Sequence, residues 1–247
     1  MLEDMRVSPV AIVGKPKNGK AKRLIGARTC ELAYVIVGSA LKHLSPDLLK
    51  TVEKPKAPPA EMHPWKRAEA SRFLKWIDDN RDPNRTLYRL ALRTGARKGE
   101  LLALRVNDFD GSAIRITKTF NEKLKQDGRP KTPSSRRSIA LSTETIALIN
   151  KHIKSTGIRG DDRLFSVGDL RVLTKRMQGV MRAAGVPVIR FHDLRHTFAT
   201  LALAAHVPIK VVCEMLGHKS VKMTLDVYAH TLPGMHESAV EALEAAF

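Results

Sequence analysis

The sequence predicts a mainly α-helical fold with one small antiparallel β-sheet, an α+β arrangement preceded by a short helical region. Three observations carry this. Apolar residues recur at three- and four-residue steps through most segments long enough for a helix. One stretch, beginning at Asp110-Gly111, switches to a period of two. Gly and Pro fall where such helices would start and stop, as at Pro64, Pro83, Gly95 and Gly217.

Residues 1 to about 22 are polar, basic and punctuated by Gly14, Pro16 and Gly19, so they read as a loop or flexible arm. A helix is expected from about 27 to 44, with Leu32, Val35, Ile36, Ser39 and Ala40 on one side. The run Lys54-Pro55-Lys56-Ala57-Pro58-Pro59 is an extended Pro-rich linker and the best boundary in the chain. It divides the sequence into residues 1–53, a linker over 54–62, and a larger domain over 63–247.

In that larger domain Pro64 opens a helix to about 77, anchored by Trp65, Phe73, Leu74 and Ile77. Pro83 opens the next, with Leu87, Leu90 and Ala91 in phase, and Gly95 supplies the left-handed turn that ends it. The apolar run Leu101 to Leu104 follows. Ile114 and Ile116 alternate with polar neighbours in a strand, residues 121–128 are a polar stretch, and residues 129–132 form a strand edge. Ser134-Ser135 then turns into a strand over 136–141, giving a small sheet with long basic tips. Residues 143–153 and 170–184 are helices; the second carries Arg171, Lys175, Arg176 and Arg182 on one basic face. From 191 on, Leu194, Phe198, Leu201 and Ala205 supply a buried stripe. Pro208 starts a helix from Ile209 to Met215, Gly217 ends it, and Ser220 can cap a third that carries Tyr228. A breaker at residues 231–234 precedes a last short helix.

Composition narrows the function. The 247 residues carry 43 Lys+Arg against 25 Asp+Glu, a net charge of +18. Such an excess points to a polyanion, usually nucleic acid. No apolar run is long enough for a membrane span and no signal peptide opens the chain, so no membrane partner is expected. The two cysteines, Cys30 and Cys213, form no disulfide framework or zinc site, which fits a reducing cytoplasm. Cys213 lies on an apolar helix face and reads as core.

His192, Arg195, His218 and Tyr228 fall within one short stretch, off the expected apolar face. Two imidazoles, a guanidinium and a phenol suit a phosphodiester. Arg offers a planar fork to phosphate oxygens, His can donate a hydrogen bond or move a proton, and Tyr can act as a nucleophile if assisted. Taken singly, each feature also fits a surface pair, a packing residue, or a helix-turn-helix DNA reader without chemistry.

The joint pattern His192-Asp193-Leu194-Arg195-His196, Leu216-Gly217-His218 and Tyr228 resembles the signature of the tyrosine recombinase (phage integrase) family. Upstream, Thr94-Gly95-Ala96-Arg97-Lys98-Gly99-Glu100-Leu101 resembles that family's first box, although Val106 stands where Trp is frequent. The run of Pro130, Lys131, Thr132, Ser135 and Arg137 resembles the hairpin in which the family places its catalytic lysine. The resemblance implies a site-specific recombinase acting through a 3′-phosphotyrosyl intermediate. In it Arg97 and Arg195 clamp the scissile phosphate, and Glu100 orients Arg97. His192 assists proton removal from Tyr228, His218 donates to a non-bridging oxygen, and Lys131 protonates the leaving 5′ oxygen. Lys118, Lys123 and Lys125 compete with Lys131 for that role. His196 and His230 read as structural.

The same resemblance makes residues 1–53 a partial helical core-binding region, with room for about two helices where the family has about four. That departure points to a truncated or unusually short member. Double-stranded DNA is the implied partner, bound by a homotetramer across two duplexes, with accessory DNA-bending proteins as further candidates and no cofactor or metal. Rival readings are a catalytically silent regulator derived from an integrase, and a related transesterase such as a type IB topoisomerase or telomere resolvase.

Overall fold

The computed structural model describes residues 26–42, 53–55, 63–128, 136–166, 168–228 and 244, with the backbone alone at 223 and 226–228. Its contacts divide the chain into two compact units, Met1–Glu61 and Met62–Phe247. The first contains α1 (Ala27–Leu41), on which no residue is buried. The Glu31 carboxylate takes Arg28 at 2.5 Å and Lys54 at 3.2 Å, tying the helix to the start of the Pro-rich stretch.

The second unit begins with α2 (Arg67–Asp79) and α3 (Arg85–Thr94). Both helices start a little after the prolines expected to open them. The first begins where Glu69 reaches back to accept the Lys66 N–H at 2.7 Å, which satisfies a donor that the helix cannot. The second begins after a turn in which the buried Asp82 carboxylate accepts the Asn84 N–H at 2.8 Å. Apolar residues at helical spacing then face one another. Trp65, Phe73, Tyr88 and Phe191 form a continuous run of tilted rings, with centroids 4.8, 5.7 and 6.4 Å apart.

A short α4 (Lys98–Ala103) and a 3₁₀ turn (Val106–Asp108) lead into four strands: β1 (Ala113–Ile116), β2 (Thr119–Asn121), β3 (Gln126–Gly128) and β4 (Arg137–Ala140). β1 and β4 pair antiparallel, Ile114 against Ile139, and both isoleucines are buried, as the alternation predicts. β2 and β3 form a second antiparallel pair within the stretch read as merely polar. No apolar alternation marks this hairpin, because charge holds it. Asp127 receives Arg105 at 2.7 Å and Arg163 at 2.8 Å, and the Arg163 guanidinium lies 4.9 Å from the centre of the Phe120 ring. The expected strand edge at 129–132 lies outside the described residues.

Helices complete the unit: α5 (Thr143–Thr156), α6 (Leu170–Ala183), α7 (Asp193–Ala204), α8 (Ile209–Leu216) and α9 (Val221–Tyr228). The mostly helical architecture with small antiparallel sheets is the fold class that the sequence predicts. On the basic face of α6, Arg171, Lys175 and Arg182 are exposed. Arg176, exposed as well, is also paired within the fold, 2.9 Å from the buried Asp82. The stripe expected on α7 is shifted. Leu194 and Phe198 are buried, but Leu201 is half-buried and Ala205 exposed, while Ala199 and Leu203 take the inner positions. The helix stops at Ala204 and the chain turns through His206 at φ +58°, which carries Ala205 out of phase. The breaker and last helix expected beyond residue 230 lie outside the described residues apart from helical Glu244.

Phe198, Ala199, Leu203, Val212 and Leu216 make a second small core between α7 and α8. It closes on Gly95, at the left-handed end of α3 with φ +62°. A Cβ there would stand 2.3 Å from Phe198 Cδ1 and 2.8 Å from Leu216 Cδ2. Gly95→Ala should therefore cost about 2–4 kcal/mol, from overpacking plus left-handed backbone strain. Urea unfolding checks this; a midpoint equal to that of the parent would show that the Phe198 and Leu216 side chains yield freely.

Candidate functional site

Gly95 places Arg97 at the amino-terminal cap of α4. There Glu100 accepts both the Arg97 N–H and its Nη1, each at 2.8 Å. The Glu100 carboxylate is 2% exposed and takes a second guanidinium, Arg137 of β4, at 2.8 and 3.2 Å. Arg137 Nε in turn donates to the Met215 carbonyl at 2.6 Å, just ahead of Gly217 and His218. Burial alone would raise the Glu100 pKa; Arg137 and then Arg97 outweigh it and hold the carboxyl below its ordinary range.

Arg195 corrects one expectation. It does not stand off the apolar face of its helix but is 3% exposed on α7, beside fully buried Leu194. A cation so placed needs partners. Its Nη1 donates to the Gly95 carbonyl at 2.8 Å, in the turn that delivers Arg97. One glycine thus serves both arginines: its carbonyl receives one, and its left-handed backbone leads into the other.

His192 caps the start of α7 within a turn pinned by the neighbouring residues. The Arg190 guanidinium forks the buried Asp193 carboxylate at 2.8 and 3.0 Å, and the Arg190 N–H donates to the same carboxylate at 2.8 Å. The His192 ring meets His196 edge-on, centroids 5.1 Å apart. Its pKa is lowered, first by partial desolvation and then by Arg195, with Arg97 adding to the effect and Asp193 opposing it. The side chain is exposed, so solvent screens part of this effect.

His218 follows Gly217, the left-handed cap of α8. Its pKa is lowered to about 4, first by burial and then by the charges of Arg195, Arg97 and Arg137. His196 is lowered to about 4 by burial and by His192. At neutral pH these imidazoles are uncharged, able to donate from one nitrogen and accept at the other.

The fold therefore gathers Arg97, His192, Arg195 and His218 within electrostatic reach of one another, from α4, α7 and the α8 terminus. Tyr228 is the last residue of α9, present here through its backbone. Lys131 and His230 lie outside the described residues. The competing Lys118, Lys123 and Lys125 are exposed on and around the β2–β3 hairpin. Arg137 has a place in the site that sequence reasoning did not assign, although it ends the very run used to locate Lys131. Two guanidiniums and two neutral imidazoles can neutralise and hydrogen-bond a phosphate and accept a proton. Surface depressions of about 230 and 260 Å³ are lined by none of these residues, so the cluster does not belong to either small cavity. Among the described residues no group of His, Cys, Asp or Glu is placed to hold a metal ion, and no helix is long and apolar enough to cross a membrane.

Residues 66–234 match the phage integrase family. A tyrosine recombinase XerC-like protein of Caldanaerobacter subterraneus is 30% identical over 193 residues, 66% of this chain and 49% of that protein. The tyrosine recombinase XerA of Saccharolobus solfataricus is 33% identical over 154 residues, 61% of this chain and 46% of that protein. The chain thus spans about half the length of the curated relatives it matches. Among solved structures, the Tn1549 transposon integrase in complex with transposon right end DNA superposes with a TM-score of 0.70 at 20% identity, over 89% of this chain and 80% of that one. The catalytic domain of bacteriophage HP1 integrase gives 0.52 at 27% identity, over 73% and 95%.

Proposed function

The chain belongs to the phage integrase family, and from that premise we propose that it cuts and rejoins duplex DNA as a site-specific tyrosine recombinase. The Tyr228 phenolate attacks phosphorus, the bond to the 5′ oxygen breaks, and a 3′-phosphotyrosyl link forms. A 5′-hydroxyl from a partner strand then reverses the step. Bond energy is kept in the covalent link, so the exchange needs no ATP. His192 takes the phenol proton, Arg97 and Arg195 stabilise charge on the five-coordinate phosphorus, and His218 donates to a non-bridging oxygen. Lys131 supplies the proton for the departing oxygen. Residues 1–53 act as a partial core-binding region joined through 54–62 to the catalytic domain 63–247. The working assembly is a tetramer on two duplexes, and accessory DNA-bending proteins fit the same reading.

The observation that carries the reading is the convergence of Arg97, Arg195, His192 and His218 from three separate segments, with both imidazoles held toward the neutral form. A merely basic DNA-binding surface does not call for a guanidinium at 3% exposure. The test is a duplex nicked close to the cleavage site, with candidate attachment sites flanking the gene as substrate. A recombinase traps itself covalently at the 3′ phosphate, while a silent regulator binds the same duplex and never traps. A topoisomerase-like enzyme would trap but relax supercoils without exchanging strands.

A further inference from the structure

His218 has two ring nitrogens, and its proposed role requires the proton on one of them. Its Nδ1 lies 2.7 Å from the Thr224 hydroxyl. That hydroxyl also receives the Cys213 thiol, at 3.0 Å. Thr224 is 0% exposed and Cys213 5% exposed, so water does not compete for either contact. Three groups from α8, the residue after its cap and α9 therefore form one line, buried at its Cys213–Thr224 end.

The hydroxyl has one hydrogen and two lone pairs, so three arrangements are open. In one, the thiol donates to the hydroxyl and the hydroxyl donates to Nδ1. In another, Nδ1–H donates to the hydroxyl and the hydroxyl donates to sulfur. In the third, the hydroxyl accepts from both and turns its hydrogen away from both. The first uses each group in its better role, because a neutral imidazole nitrogen is a strong acceptor and a thiol sulfur a weak one. With Nδ1 accepting, the single proton of the neutral ring resides on Nε2, the nitrogen that remains to meet a ligand.

We propose that Thr224, backed by Cys213, is a positioning residue that fixes His218 in its Nε2–H form, presenting a hydrogen-bond donor to the DNA phosphate. This rests on the recombinase reading for its consequence, though not for the tautomer itself. Neutrality of the ring at pH 7 agrees with it, since a doubly protonated ring could not accept from the hydroxyl. The arrangement also joins the His218 turn to α9 one helical turn before Tyr228, so the donor and the tyrosine-bearing helix share an anchor. Residues that orient a functional histidine through its second nitrogen typically matter about 10- to 100-fold in metal sites, and a similar effect is expected here.

The test uses the full chain at pH 7. Nitrogen-15 NMR of the histidine rings reads the tautomer directly, and covalent trapping on a nicked duplex reads the reaction. The parent protein should show His218 protonated at Nε2. Thr224→Val should move the proton toward Nδ1 and slow trapping about 10- to 100-fold, and Thr224→Ser should restore both. A parent ring protonated at Nδ1, or a tautomer unchanged in Thr224→Val, overturns the proposal. If the valine variant fails to fold, the parent tautomer still decides. If the parent never traps DNA but its tautomer shifts as described, the recombinase reading fails and the positioning role stands.

Discussion

Tyr228→Phe should abolish covalent trapping of a nicked duplex while leaving DNA affinity nearly unchanged. The substitution removes one oxygen and keeps the ring, so the packing of α9 is preserved. Without that oxygen no bond to phosphorus can form, and trapping should fall by more than about 10⁴-fold, equal to roughly 5 kcal/mol of barrier. Affinity survives because phosphate neutralisation by Lys and Arg supplies most of it, and the chain carries 43 such residues. The other two tyrosines offer no easy substitute. Tyr88 is 0% exposed, and burial followed by the Asp82 charge holds its phenol well above the ordinary range. Tyr34 belongs to the other compact unit, on α1. Trapping is scored by a band resistant to denaturing gel electrophoresis, and affinity by titration at fixed salt. A Tyr228→Phe protein that still forms the adduct at the parent rate would move the nucleophile elsewhere.

The sequence made the helical frame legible because the relevant signals are local. Period, Gly and Pro announce α3, its Gly95 end, and α8 with Gly217. The β1–β4 pair was also accessible, since Ile114, Ile116 and Ile139 alternate with polar neighbours. The β2–β3 hairpin was not, because Asp127 and its two arginines come together only in three dimensions. Burial of charge was the other blind spot. Nothing in the composition of α7 says that Arg195 turns inward, because what accommodates it is the Gly95 carbonyl, a hundred residues upstream. The candidate residues themselves were legible as a motif, but their environment was not. That two of the imidazoles are pushed to about 4 follows from burial, joined at His218 by arginines from other elements and at His196 by the neighbouring His192.

Glu100→Ala should destabilise the second unit by about 3–5 kcal/mol and slow trapping as well. Glu100 is the shared partner of Arg97 and Arg137, and the Arg137 side chain is only 7% exposed. Truncation leaves that guanidinium in a dry site without its carboxylate, which costs far more than the pair contributes net. The effect on reaction follows from geometry, because Arg97 loses both the bond to its N–H and the bond to its Nη1. Glu100→Gln separates the two consequences. It keeps the shape and an acceptor but not the charge, so it should fold with a smaller loss. The pH dependence fixes the sign. Because the folded pKa lies below the ordinary 4.5, the unfolded chain binds the proton more readily as pH falls. The carboxylate's contribution is then complete above about pH 5 and is lost as pH drops through the depressed folded value. Urea unfolding of the parent and Glu100→Gln should therefore give stabilities that differ clearly at pH 7 and converge on acidification. A difference below about 1 kcal/mol at pH 7 would mean that solvent or other groups already satisfy Arg137, and that Glu100 is not what holds the two arginines in place.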